Sequence, residues 1–85
     1  MAKASLMQVK VAAPFRTYFE GEAASVSAAN DTGPFDVLPR HKNFMTILKP
    51  GQLTVRVPQR PDFNLSIERA VMHVKDDKVT VFLDV

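Results

Sequence analysis

The chain has 85 residues, 46% hydrophobic and 24% charged, with a net charge of +2 and a pI near 9.2. That composition fits one globular domain over residues 1–85 and is too apolar for a disordered chain. With no cysteine, disulfides, thiolate metal sites and cysteine catalysis are excluded, and the mild basicity is below what a nucleic-acid binder resting on many phosphate contacts carries.

Residues 1–10 begin like a weak signal peptide, but Gln8 and Lys10 interrupt the apolar stretch early. No run approaches the ~20 apolar residues of a transmembrane helix. The expectation is a soluble, cytoplasmic chain without direct membrane insertion.

Over residues 6–13, Met7, Val9 and Val11 alternate with Gln8 and Lys10, the pattern of a half-buried strand that Pro14 ends. Phe15, Tyr18 and Phe19 follow, and Glu20-Gly21-Glu22 reads as a turn or bulge. Residues 22–28 alternate loosely, with Ala24, Val26 and Ala28 on one face of a further strand. Residues 30–34 read as a turn, and Phe35, Val37 and Leu38 as a very short strand ended by Pro39.

Residues 41–48 stay open between helix and strand: Phe44, Ile47 and Leu48 suit one period, Met45 and Ile47 the other. Lys49-Pro50-Gly51 reads as a tight turn. Leu53, Val55 and Val57 then alternate with Gln52, Thr54 and Arg56, and residues 58–62 form a loop. Phe63, Leu65 and Ile67 alternate with Asn64, Ser66 and Glu68, and residues 69–74 continue extended. After a turn at Asp76-Asp77, Val79, Val81 and Leu83 alternate with Lys78, Thr80 and Asp84. Short strands, frequent turns and no long helical pattern predict an all-β fold, a sandwich or a small barrel.

Three constellations invite chemistry. Asp31-Thr32-Gly33 resembles an aspartic-protease turn, whose paired carboxylates share a proton; yet Asn30 and Pro34 flank it and no second apolar glycine segment supports it, so an Asx-type turn fits better. His41 with Asp36 and Ser25 or Ser27 has the residue types of a triad but lacks a strained nucleophile turn. Phe15, Tyr18, Phe19 and Phe35, with Arg40, Lys42, Lys49 and Arg56, could serve a single-stranded nucleic acid on a small barrel, against the need of so short a chain for core phenylalanines. His41 and His73 lack metal-ligand spacing, and Asp76-Asp77 lacks a calcium-loop pattern, so no metal and no catalytic residue is expected.

Four stretches in register resemble the N-terminal β-sandwich domain of the F-type ATP synthase epsilon subunit (delta in mitochondria). Val9-Lys10-Val11 through Phe19-Glu20-Gly21-Glu22 is similar to the family's first strand and Phe-x-Gly turn. Gly33-Pro34-Phe35-Asp36-Val37-Leu38-Pro39-Arg40-His41 is similar to Gly-x-x-x-(Ile/Val)-Leu-Pro-Gly-His. Thr46-Ile47-Leu48-Lys49-Pro50-Gly51 is similar to Thr-x-Leu-x-Pro-Gly, and Val71-Met72-His73-Val74 through Lys78-Val79-Thr80-Val81 to the closing hairpin. The resemblance implies a two-layer β-sandwich of about ten short strands. It also implies a non-catalytic, cofactor-free role: clamping the rotor-stalk subunit gamma to the c-ring of a proton-translocating synthase, peripheral on the inner face of the cell membrane. By the same resemblance Asp31, Gly33 and Pro34 face the c-ring, and His41, Phe44 and Thr46 lie towards gamma. Pro34 stands where the family often has an acid, Arg40 replaces a glycine, and Lys42-Asn43 replaces Ala-Pro, departures that leave open a stand-alone epsilon-like sandwich with another protein partner. The family usually continues into a two-helix hairpin that restrains ATP hydrolysis; the sequence as given ends at Val85, so no such regulation is expected of it.

Overall fold

The computed structural model describes residues 6–83; the first residues of the signal-like stretch, and Asp84, expected to continue the last strand, lie outside them. Among the described residues the chain forms nine strands: β1 (Met7–Ala13), β2 (Arg16–Ala23), β3 (Ser25–Asn30), β4 (Gly33–Val37), β5 (Phe44–Leu48), β6 (Gly51–Arg56), β7 (Phe63–Ile67), β8 (Ala70–Lys75) and β9 (Lys78–Leu83). They make a five-stranded sheet, β2-β1-β9-β8-β5, facing a four-stranded one, β4-β3-β6-β7. This is the expected all-β two-layer sandwich.

The alternation read from the sequence sets which side chains meet between the layers. Met7, Val9 and Val11 of β1, Met72 and Val74 of β8, and Val79 and Val81 of β9 are buried against Val26, Val37, Leu53 and Val55 of the second sheet. Full burial of each such side chain contributes about 1.5–3 kcal/mol relative to exposure. The first and last strands lie side by side in parallel register, Val9 opposite Val79 and Val11 opposite Val81. This joins the two ends of the fold inside one sheet.

Several sequence expectations are corrected by this arrangement. Glu20-Gly21-Glu22 is not a turn: Gly21 lies within β2, opposite Val9, and the bulge falls earlier, where Tyr18 has no partner because Val11 pairs with Phe19 and Ala12 with Thr17. The strand expected over residues 22–28 is interrupted at Ala24, where the chain leaves the first sheet for the second. Likewise residues 69–74 do not prolong the preceding strand; a bend at Glu68 and Arg69 carries the chain from β7 back to β8 in the other sheet. The short turn expected at Lys49 and Pro50 likewise carries the chain from one sheet to the other. Residues 44–48 are a strand, paired with β8 from Phe44 opposite Val74 to Leu48 opposite Ala70.

Each strand reverses the direction of the one before it, so the connections collect at two ends. One end carries Pro14 and Phe15, Asp31 and Thr32, Lys49 and Pro50, and Glu68 and Arg69. The other carries the β4–β5 loop, the β6–β7 loop and the Asp76-Asp77 turn. At this second end Asp77 Oδ1 accepts the Arg40 N–H at 2.6 Å, and Asn43 Oδ1 accepts the Asp76 N–H at 2.9 Å.

Candidate functional site

The β3–β4 hairpin places the first group of residues singled out in the sequence. Asn30 Oδ1 accepts the Thr32 N–H at 2.9 Å, an Asx turn that leaves only Asp31 and Thr32 between the paired Asn30 and Gly33. Gly33 has a φ of 124°, which L side chains rarely adopt, and a Cβ there would meet nothing within 4 Å, so backbone conformation rather than space calls for glycine. Pro34 follows on an edge strand, where a missing N–H is tolerated. The Asp31 side chain is 97% exposed and lies 3.7 Å from Lys49 Nζ. An ion pair between groups this exposed adds little stability, which leaves Asp31 available to another cation.

The second group lies on and before β5, and the strand divides it. Phe44 and Thr46 point between the sheets. Phe44 meets Phe35 edge-on at 6.1 Å and the His41 ring at 4.9 Å, while Thr46 Oγ1 accepts a hydrogen bond from Asn30 Nδ2 at 3.1 Å. With Lys49 N–H donating to Ala29 C=O at 2.9 Å, that bond fastens the hairpin to β5. His41 is exposed; its Nδ1 lies 2.9 Å from the Lys42 carbonyl, which can only accept, so Nδ1 carries the proton. The two groups are thus one contiguous region rather than two separate ones, Thr46 being the link.

What β5 offers to a partner is the intervening pair, Met45 and Ile47, 66% and 59% exposed. The registers extend this into a row across the outer face of the five-stranded sheet. Ile47 lies opposite Val71, Val71 opposite Phe82, and Phe82, 47% exposed, opposite Ala12. Asn30, Asp31, Thr32, Met45, Ile47 and Val71 together line a groove where this row runs up to the hairpin. Sequence reading did not separate Met45 and Ile47 from their neighbours because β5 is apolar on both faces; Phe82, on the face of β9 that otherwise carries Lys78 and Thr80, was the one available signal.

The outer face of the other sheet is polar. Ser27 donates to Asp36, Arg56 Nη1 donates to Ser27 Oγ at 2.6 Å, and Asn64 Oδ1 accepts from Gln52 and Thr54. Of the two serines of the imagined triad, Ser27 is therefore engaged with Asp36 and Arg56, and Ser25 Oγ accepts from Arg56 Nη1 at 3.3 Å; neither is bonded to His41. Asp31 is a solvated turn residue, unlike the rigidly enclosed carboxylate that acid proteolysis needs. Of the aromatic residues considered for base stacking, Tyr18 lies under Arg16 at 4.7 Å, Phe19 packs on Phe63 at 5.2 Å and Phe35 on Phe44; Phe15 alone of the four is fully exposed. Among the described residues no group of three or more His, Asp or Glu is placed to hold a metal ion, and no helix is long and apolar enough to cross a membrane.

Residues 6–85 match the family model described as the ATP synthase delta/epsilon chain, β-sandwich domain. The chain is 34% identical over 82 residues to the ATP synthase epsilon chain of Neisseria meningitidis (serogroup C, strain FAM18), covering 95% of this chain and 59% of that one. It is 35% identical, with the same coverage, to the epsilon chain of Laribacter hongkongensis. The chain thus spans 59% of the length of these relatives. Among solved structures, a chain of the Euglena gracilis mitochondrial ATP synthase, from an OSCP/F1/c-ring assembly, superposes with a TM-score of 0.84 at 19% identity, covering 92% of this chain and 50% of that one. One from the Tetrahymena thermophila mitochondrial ATP synthase central stalk and c-ring gives 0.78 at 17% identity, covering 96% and 66%. At those identities the likeness speaks for the fold.

Proposed function

This chain belongs to the ATP synthase delta/epsilon β-sandwich family, and from that premise we propose that it is a non-catalytic coupling element of a proton-translocating F-type ATP synthase, joining the stalk subunit gamma to the c-ring. In this role it is peripheral to the membrane, on its inner face, and takes no cofactor. The observation that carries the reading is the meeting at β5 of two unlike surfaces: the apolar row Ile47–Val71–Phe82 and the polar hairpin tip at Asp31.

An apolar row on a rigid sheet suits a lasting contact with another protein, because its burial excludes water without requiring charge pairing. We assign that row to gamma, with Met45 and Ile47 as the contact residues of β5 and with Phe44 and Thr46 supporting the strand from within. His41, packed on Phe44, borders the same contact. The hairpin tip suits the polar loops of a ring of subunits, where a solvated acid can exchange partners as the ring presents successive copies. Torque then passes as contact force through a sandwich whose sheets are joined by buried side chains, and no bond is made or broken by this chain.

Co-purification tests the assignment. The chain should form a complex with the gamma subunit of its own synthase, and Ile47→Lys with Phe82→Lys should abolish it while leaving the far-ultraviolet β signal unchanged. A folded chain that fails to bind gamma would overturn the proposal.

A further inference from the structure

Among the described residues this two-sheet sandwich has four edge strands, β2 and β5 in one sheet and β4 and β7 in the other. Exposed edges invite unwanted pairing, and proteins blunt them with charges, prolines and bulges. β2 carries a bulge at Tyr18 and the exposed acids Glu20 and Glu22. β4 carries Pro34 and Asp36. β5 has no such guard, but the β3–β4 hairpin is bonded to it and it belongs to the contact assigned above. β7 remains. Its five residues, Phe63-Asn64-Leu65-Ser66-Ile67, hold no charge, proline or bulge, and no role described so far uses them.

The surroundings of β7 are built like a seat. Phe63 packs on Phe19 across the open side of the sandwich at 5.2 Å. With Leu6, Val57 and Pro61 the two rings line a cleft of about 610 Å³ between the free edges of β2 and β7. Its rim is acidic: Glu20, Glu22 and Asp62 outnumber Arg60 there, and Glu68 closes the far end of β7. Among the described residues none of these acids forms an ion pair, although the chain as a whole is +2.

We propose that β7 accepts an added strand from a partner protein: an extended segment whose alternate residues are aliphatic and whose ends are basic. Backbone hydrogen bonds along the free edge supply the attachment, an aliphatic side chain enters the Phe19–Phe63 cleft, and the flanking cations meet Asp62 and Glu68. A second copy of this chain is the wrong occupant. Antiparallel self-pairing centred on Leu65 sets Asp62 of each copy opposite Glu68 of the other, and like charges directly opposite destabilise a pair.

The test uses the isotope-labelled 85-residue chain and two probe peptides, Lys-Val-Thr-Val-Thr-Val-Lys and its counterpart with glutamate at both ends. Each carries an N-methyl group on every second amide, so that it can pair on one side only. The lysine-ended peptide should slow amide hydrogen exchange and shift resonances within residues 63–67. Asp62→Asn with Glu68→Gln should weaken it about tenfold, and Ser66→Lys, a guard placed on an exposed position, should abolish it. Equal binding of the glutamate-ended peptide, protection at β2 or β5 instead of β7, absence of binding at millimolar peptide, or a dimer of the free chain that Ser66→Lys dissolves would each overturn the proposal.

Discussion

Arg40 sits with φ at 67°, in the left-handed region, and its backbone N–H donates to Asp77 Oδ1 at 2.6 Å. The left-handed conformation costs an L-residue roughly 1–2 kcal/mol because Cβ crowds the following carbonyl. Glycine escapes that cost but brings about 0.4–1 kcal/mol of extra chain entropy in the unfolded state. The Asp77 bond uses only the backbone and survives either way, so Arg40→Gly should stabilise the fold by a net of about 0.5–1 kcal/mol. For a domain of this size that is a rise in Tm of roughly 3–6 °C. Arg40→Ala keeps the Cβ and should remain near the parent. Urea and thermal unfolding of the three proteins decides the matter. Arg40→Gly unfolding at or below Arg40→Ala would refute the strain account and show that the arginine side chain, rather than the backbone, matters there.

Other outcomes follow from the packing and the hairpin. Leu53, fully buried on β6 between the sheets, should lose about 2–5 kcal/mol on replacement by alanine, seen as an early chemical denaturation midpoint. Asp31→Lys should change stability by less than about 0.5 kcal/mol, since its pair with Lys49 is exposed. The same change should weaken attachment of the chain to a c-ring, most at low ionic strength where charge contacts are least screened.

The strands themselves were legible because a strand buried on one face must alternate, and β1, β6 and β7 do, as does β9 up to Phe82. The points where the chain changes sheet were not. At Ala24 and at Glu68 and Arg69 the chain bends within one or two residues, so the side-chain pattern resumes after only a short break. Glu20-Gly21-Glu22 carried turn-like residues, but the tight geometry lies earlier, at the Tyr18 bulge, which leaves no residue signature. The hairpin could be read from its residues: Asn30 makes the Asx turn and Gly33 the unusual φ. The outward face of β5 could not, because Phe44-Met45-Thr46-Ile47-Leu48 is almost uniformly apolar and its inward parity is set by pairing with β8. Only the pairing separates inward Phe44 and Thr46, which the resemblance had turned towards gamma, from outward Met45 and Ile47.

Titration calorimetry of the chain against its cognate gamma subunit tests the coupling role most directly, with three proteins compared: the parent, Ile47→Lys on the outer face of the five-stranded sheet, and Gln52→Lys on the outer face of the other. The parent and Gln52→Lys should bind alike, and Ile47→Lys should lose at least about thirtyfold, the cost of a charge in a buried apolar contact. Equal binding by all three, or loss with Gln52→Lys alone, would contradict that role.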